Sequence, residues 1–184
     1  MYIARILYPI EVLGPGKRIG IWFCGCKHKC KGCSNPELWE FDEKYKTTVE
    51  NVFELISKIA VHNNVDGFTV TGGDPIYQYN DLMKLIPFLK KINNDILVYT
   101  GFTTDELSGY DLSGISVLID GRYIEELNDG DLLRGSSNQK IHILEPEQEE
   151  KYKLYLKTER NKIQNFILDN GIVSVGIHNA DFNK

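Results

Sequence analysis

Phe68-Thr69-Val70-Thr71-Gly72-Gly73-Asp74-Pro75 reads as a short apolar strand running straight into a glycine turn. Four β-prone residues followed by Gly-Gly and Asp-Pro end a strand and redirect the chain. Upstream, Thr47-Thr48-Val49-Glu50 has capping-box spacing, with Thr47 as N-cap and Glu50 reaching back. Val52, Phe53, Ile56, Ile59 and Ala60 then share one helical face, which stops near Asn63-Asn64. Downstream, a second helix starts near Asn80 and carries Leu82, Leu85, Ile86, Leu89 and Ile92 on one face. Pro87 lies inside it and is expected to kink or shorten it. A helix on either side of the Phe68 strand is the unit of an α/β fold.

Working outward, Ile19–Phe23, Ile96–Tyr99 and Ile115–Ile119 are further apolar runs of strand length, and a short helix is expected from Thr103 or Thr104. The resulting strand–helix alternation predicts parallel strands joined by right-handed crossovers. Residues 2–8 alternate loosely, as an edge strand would. Beyond Glu125 the pattern weakens: a polar loop over 134–139, a strand at Ile141–Leu144, and a charged stretch, 145–160, that fits helix or strand equally. Ile163–Leu168 and Ile172–Ile177 flank Asp169-Asn170-Gly171, a hairpin signal. No linker or repeat divides the chain, so residues 1–184 are read as one domain.

Composition narrows the function. A net charge of -5 excludes a general nucleic-acid binder, which is normally basic. No run of about 18 apolar residues exists to span a membrane. Met1-Tyr2-Ile3-Ala4-Arg5 lacks a signal-peptide pattern, so a cytoplasmic protein is expected. In a reducing cytosol, clustered cysteines read as metal ligands or redox groups.

All four cysteines fall within Cys24-Gly25-Cys26-Lys27-His28-Lys29-Cys30-Lys31-Gly32-Cys33. Four polar or glycine-rich stretches follow predicted strands: this loop, Gly72 to Pro75, Thr100-Gly101, and Asp120-Gly121-Arg122. Carboxyl ends of parallel strands share one edge, so the four converge on one site. The spacing Cys26-x-x-x-Cys30-x-x-Cys33 suits thiolate ligation of an iron–sulfur cluster, with one iron left open for chemistry. Three other readings stand beside it: a structural zinc site, a thiol–disulfide pair at Cys30 and Cys33, and an electron carrier in which Cys24 is a fourth ligand. Lys27, His28, Lys29 and Lys31, with Lys17-Arg18 after the Gly14-Pro15-Gly16 turn, form either a solvated rim or a basic surface steering an acidic electron donor. Gly72-Gly73 lets backbone approach a ligand, and Asp74 suits an amine or hydroxyl. Asp120 and Arg122 are either site residues or a loop ion pair; His142 and His178 read as structural side chains.

Cys26, Cys30 and Cys33 with Gly72-Gly73-Asp74-Pro75 downstream resemble the radical S-adenosylmethionine superfamily. More narrowly, the chain resembles the activating enzymes of anaerobic (class III) ribonucleotide reductase. Gly14-Pro15-Gly16, Asn35-Pro36-Glu37-Leu38-Trp39, Tyr99-Thr100-Gly101, Val117 to Gly121, and above all Arg134-Gly135-Ser136-Ser137-Asn138-Gln139-Lys140 carry that likeness. The resemblance implies a shortened, incomplete (β/α) barrel with a C-terminal β-hairpin. It implies a [4Fe–4S] cluster on Cys26, Cys30 and Cys33, and S-adenosylmethionine chelated to its open iron. Gly72, Gly73 and Asp74 would hold the methionine portion, Thr100 and Asp120 would contact the rest, and adenine would pack on Trp22, Phe23 or Trp39. Reductive cleavage would yield a 5′-deoxyadenosyl radical that takes hydrogen from a glycine of the partner reductase, with reduced flavodoxin or ferredoxin as electron donor. The rivals are a radical enzyme acting on a small molecule or peptide, as deazaguanine synthase does, and a non-catalytic iron–sulfur carrier.

Overall fold

A computed structural model describes residues 1–159, 162–168 and 171–178. Six strands form one mixed sheet in the linear order β1 (Ile3–Ile10), β2 (Arg18–Phe23), β3 (Gly67–Gly72), β4 (Ile96–Tyr99), β5 (Val117–Asp120) and β6 (Lys140–Ile143). The central four, β2 to β5, run parallel; β1 and β6 flank them antiparallel. Helix α1 (Val49–His62) joins β2 to β3, and α2 (Tyr79–Lys90) joins β3 to β4. Helix α3 (Glu149–Lys157) follows β6, and β7 (Ile163–Leu168) pairs with β8 (Gly171–Gly176) in a separate hairpin. The Asp169-Asn170 part of the expected turn lies outside the described residues.

Both faces of the sheet are covered, which is why β2 is buried at all six positions rather than at alternate ones. Ile19, Ile21 and Phe23 of β2, Phe68 and Val70 of β3, and Ile96 and Val98 of β4 pack with Val52 and Ile56 of α1 and Leu82, Leu85, Ile86 and Leu89 of α2. The intervening side chains take the opposite face. There Trp22 packs with Leu7, Leu13, Leu38 and Val175, and Leu97, Val117 and Ile119 pack with Leu133, Tyr152 and Tyr155.

Local chemistry shifted several sequence expectations. The N-cap of α1 is Thr48, whose hydroxyl accepts from Asn51 N at 3.2 Å; Thr47 N is spent on Met1 O at 2.9 Å. Pro87 does not stop α2, which continues to Lys90, short of the Ile92 expected on its face. The helix expected from Thr103 or Thr104 is only a run of turns over 104–109. Thr103 and Glu106 do cap one another, but Gly109 adopts a φ of 98°, which ends the turn before a second can form. The ambiguous 145–160 stretch is helical over Glu149–Lys157, because Tyr152 and Tyr155 need the same buried face. Among the described residues no helix is long and apolar enough to cross a membrane.

At the amino end of β2, far along the strand from the cysteines, Arg18 is fully buried. It is therefore not part of any basic rim. Its guanidinium donates to Asp95 at 2.9 and 3.0 Å, to Thr69 Oγ1 at 2.8 Å and to Phe68 O at 2.5 Å. Tyr152 Oη and Lys151 Nζ of α3 also reach the Asp95 carboxylate, at 2.7 and 2.5 Å. Burial alone would raise the Asp95 pKa, but the Arg18 and Lys151 charges outweigh it and hold the carboxyl below its ordinary 3.8.

Removing Asp95 strands a buried guanidinium, so Asp95→Ala should cost about 3–5 kcal/mol of stability in anaerobic urea unfolding. Lys151→Ala, whose side chain is partly in water, should cost about 1 kcal/mol or less. A carboxyl with a depressed folded pKa stabilises above its unfolded pKa and loses that contribution as pH falls through the folded one. The stability gap between the native chain and Asp95→Asn should therefore hold at neutral pH and close below pH 3.8.

Candidate functional site

The carboxyl ends of the four parallel strands open onto one pocket, as the alternation predicted. The cysteine loop after β2, Gly72-Gly73-Asp74 after β3, Thr100-Gly101 after β4 and Gly121 after β5 all line it. It is a cavity of about 190 Å³ that opens to solvent.

The cysteine loop is held on both sides. Gly25 N donates to Leu38 O at 2.8 Å and Cys26 N to Trp39 O at 2.7 Å, which fixes the loop on the short 3-10 turn Pro36–Leu38. Farther on, Cys33 N donates to Cys30 O at 3.2 Å across Gly32, which takes a φ of 71°. Cys26, Cys30 and Cys33 line the pocket and Cys24 does not. Cys24 is wholly buried in the core beside Leu7 and Leu38, and its thiol donates to Glu40 O at 2.9 Å.

Burial pushes the Cys26 thiol up to about 11, against the backbone N–H groups of His28 and Lys29, which favour the thiolate. Burial, followed by the neighbouring Cys33, raises Cys30 as well. Asn35 N donates to Cys33 Sγ at 3.4 Å.

The glycine turn meets protein rather than open space. A Cβ on Gly72 would fall 2.3 Å from Phe23 O, and one on Gly73 would fall 2.5 Å from Gly25 O. Bare glycines let Gly73 N donate to Phe23 O at 2.7 Å and Asp74 N to Gly25 O at 3.0 Å, stitching the β3 exit to the cysteine loop. Asp74 is 1% exposed, and both its oxygens are engaged. Oδ1 accepts from Ile76 N and Thr100 Oγ1, each at 3.0 Å. Oδ2 accepts from Gly101 N at 2.8 Å and faces His28 Nε2 at 3.1 Å. Asp74, expected to suit an amine or hydroxyl, lines the pocket with both oxygens already bonded within the chain.

Asp120 does not line the pocket. Its carboxylate accepts from Thr104 N at 2.8 Å and Lys140 N at 3.3 Å and lies 3.2 Å from His142 Nε2, tying β5 to its neighbours. Arg122 pairs with Glu106 at 3.5 Å rather than with Asp120. The Arg134-to-Lys140 segment buttresses the wall after β5. Gln139 Oε1 accepts from Gly135 N and Gln139 Nε2 donates to Gly121 O, each at 2.8 Å, while Asn138 Nδ2 donates to Arg122 O at 2.8 Å.

Of the basic residues among the cysteines, Lys29 pairs with Glu40 at 2.7 Å and Lys31 with Glu125 at 2.9 Å. Carboxylates from distant segments thus neutralise much of the rim that the sequence suggested. His28 turns inward instead, edge-on to Phe102 with ring centroids 4.7 Å apart, and its side chain is 4% exposed. Its pairing with Asp74 spans 46 positions, and no local signal marks it. Trp22 and Trp39 line the pocket, but Phe23 is in the core. His178, read from sequence as structural, lies on the pocket wall with Ser174, their Nε2 and Oγ 2.8 Å apart.

A family model for the 4Fe-4S single cluster domain matches residues 12–142, which span the cysteine loop and all the parallel strands. The chain therefore belongs to that class of iron–sulfur protein. Its relatives narrow the class. The chain is 33% identical over 147 residues to the anaerobic ribonucleoside-triphosphate reductase-activating protein of Escherichia coli (strain K12), a match covering 74% of this chain and 96% of that protein. The proteins of the same name from Enterobacteria phage T4 and Haemophilus influenzae are 35% and 36% identical, over 73% of this chain and 90% and 94% of theirs. The chain belongs to the family of anaerobic ribonucleoside-triphosphate reductase-activating proteins.

Asp74→Ala leaves three buried donors without an acceptor and should lower stability by about 3 kcal/mol or more. Thr100→Val, which removes a single hydroxyl, should cost about 1–2 kcal/mol. Anaerobic urea titration of both variants checks the ranking.

Proposed function

We propose that this chain activates an anaerobic ribonucleoside-triphosphate reductase by generating a glycyl radical on it, using a [4Fe–4S] cluster held by Cys26, Cys30 and Cys33 and S-adenosylmethionine bound beside it. One observation carries the cluster assignment: three of the four thiols face a pocket walled by the ends of all four parallel strands, and the fourth is committed to Glu40 O. The spacing Cys26-x-x-x-Cys30-x-x-Cys33 favours an iron–sulfur cluster over a structural zinc, which more usually takes two separated C-x-x-C pairs.

Cys26, Cys30 and Cys33 would hold the cluster, which when bound would supply the one-electron reduction that cleaves the sulfonium of S-adenosylmethionine and so lets hydrogen be taken from a reductase glycine. The residues of this chain set the geometry. Gly72 and Gly73 act through the backbone they bring against the cysteine loop, offering a surface for the methionine portion. Asp74 and Thr100 position that surface, and Asp120 braces the wall behind it. Trp22 and Trp39 offer apolar faces for adenine. The sheet, open beyond β1 and β6, is read as a shortened, incomplete barrel whose mouth admits a loop of a large protein substrate. Reduced flavodoxin or ferredoxin is the proposed electron donor.

The test is anaerobic reconstitution followed by reduction with S-adenosylmethionine, with and without the reductase. Methionine, 5′-deoxyadenosine and a glycyl radical signal in electron paramagnetic resonance are expected. Absence of cleavage under strong reduction would sink the proposal, and cleavage without a glycyl radical would remove the reductase from it. Cys24→Ser should keep the iron content and absorbance of the native protein, whereas Ser at Cys26, Cys30 or Cys33 should abolish stable cluster binding.

A further inference from the structure

The segment that follows β6 lies outside the 12–142 span of the family model, yet it builds part of the pocket. Its described residues are docked at several points. Tyr152 and Lys151 of α3 hold Asp95, and Gly14 N donates to Tyr155 Oη at 3.3 Å. The β7–β8 hairpin is tied to the other edge of the sheet by Gln164, which accepts from Glu11 N at 3.0 Å and donates to Pro9 O at 2.8 Å. Asn128 Nδ2 donates to His178 O at 2.8 Å, and Lys162 Nζ donates to Gly130 O. Val175 is 3% exposed and packs in the cluster that contains Leu13 and Trp22.

These ties lay Ser174 through His178 along the wall of the pocket that the three cysteines line. This wall sets a polar pair, Ser174 Oγ and His178 Nε2 at 2.8 Å, beside Val175 and Trp22, which line the pocket from the core cluster behind it. That combination suits a nucleoside, which has flat apolar faces and a rim of donors and acceptors.

We infer that β8 with Ile177 and His178 forms an added wall of the S-adenosylmethionine pocket, in which Ser174 and His178 bind the polar edge of the adenosyl group and the hairpin shields it from water. The inference rests on the proposed activase reading, since it takes an adenosyl ligand as the occupant. Excluding water there protects a reactive intermediate from quenching. It also gives this chain a source of adenosyl affinity outside the family's 4Fe-4S domain.

The test uses full-length variants and two readouts that need no turnover. The first is binding of S-adenosylhomocysteine, which is inert to reduction, measured by calorimetry on the reconstituted protein. Ser174→Ala/His178→Ala should weaken it about tenfold, equivalent to about 1.4 kcal/mol. The second is quenching by iodide without ligand, reported by Trp22 and Trp39, the chain's 2 tryptophans. Val175→Asp places a charge in the hairpin's apolar seat and should raise quenching markedly, with iron content retained. If Val175→Asp fails to fold, Ser174→Ala/His178→Ala decides the matter. Unchanged S-adenosylhomocysteine affinity in that double variant overturns the inference while leaving the activase reading intact. A native protein that binds neither S-adenosylmethionine nor S-adenosylhomocysteine overturns the activase reading, and the inference with it.

Discussion

The pocket depends on one buried carboxylate. Asp74 is 1% exposed, and it gathers donors from its own turn, from the exit of β4 and from the cysteine loop. A carboxylate removed from water must have its lone pairs satisfied, and here that requirement can be met only when these segments sit together. Bare backbone at Gly72 and Gly73 makes the approach possible, since any side chain there would collide with Phe23 or Gly25. The loop that carries the thiols is therefore held by contacts of the protein with itself.

At the opposite end of the strands Arg18 and Asp95 do similar work on the fold. Charge is buried and matched there, and α3 enters through Tyr152 and Lys151. Because α3 leads directly into the β7–β8 hairpin, anchoring it at this end helps set where the hairpin lies at the other. The two polar networks hold opposite ends of one sheet, and the apolar cores on its two faces lie between them.

Much of the frame was legible because its signals are local. Short apolar runs marked the central strands, and period-3.6 apolar patterns both early helices, to within a few residues. The cap of α1 was misplaced by one position because Thr47 and Thr48 are both competent caps, and the bridge between Tyr2 and Lys46 decides between them. The helix after β4 failed for a local reason too: a valid cap at Thr103 is followed too soon by Gly109. The 145–160 stretch could not be settled locally, because only the buried seats of Tyr152 and Tyr155 choose its face.

By itself the sequence determined the alternation of strands and helices, and with it the convergence of four loops on one edge. It also marked Cys26, Cys30 and Cys33 as candidate cluster ligands, since a ligand motif is a matter of spacing along the chain. Only the tertiary structure decided that Cys24 stands apart, that Asp74 is saturated by its own protein, that Arg18 is buried and that His28 faces inward. The same holds for Ser174 and His178 reaching a site that begins about 150 residues earlier in the chain. The physical reason is common to all of these: they are contacts between segments far apart in sequence, chosen by which buried polar groups must find partners, and no local pattern encodes that choice.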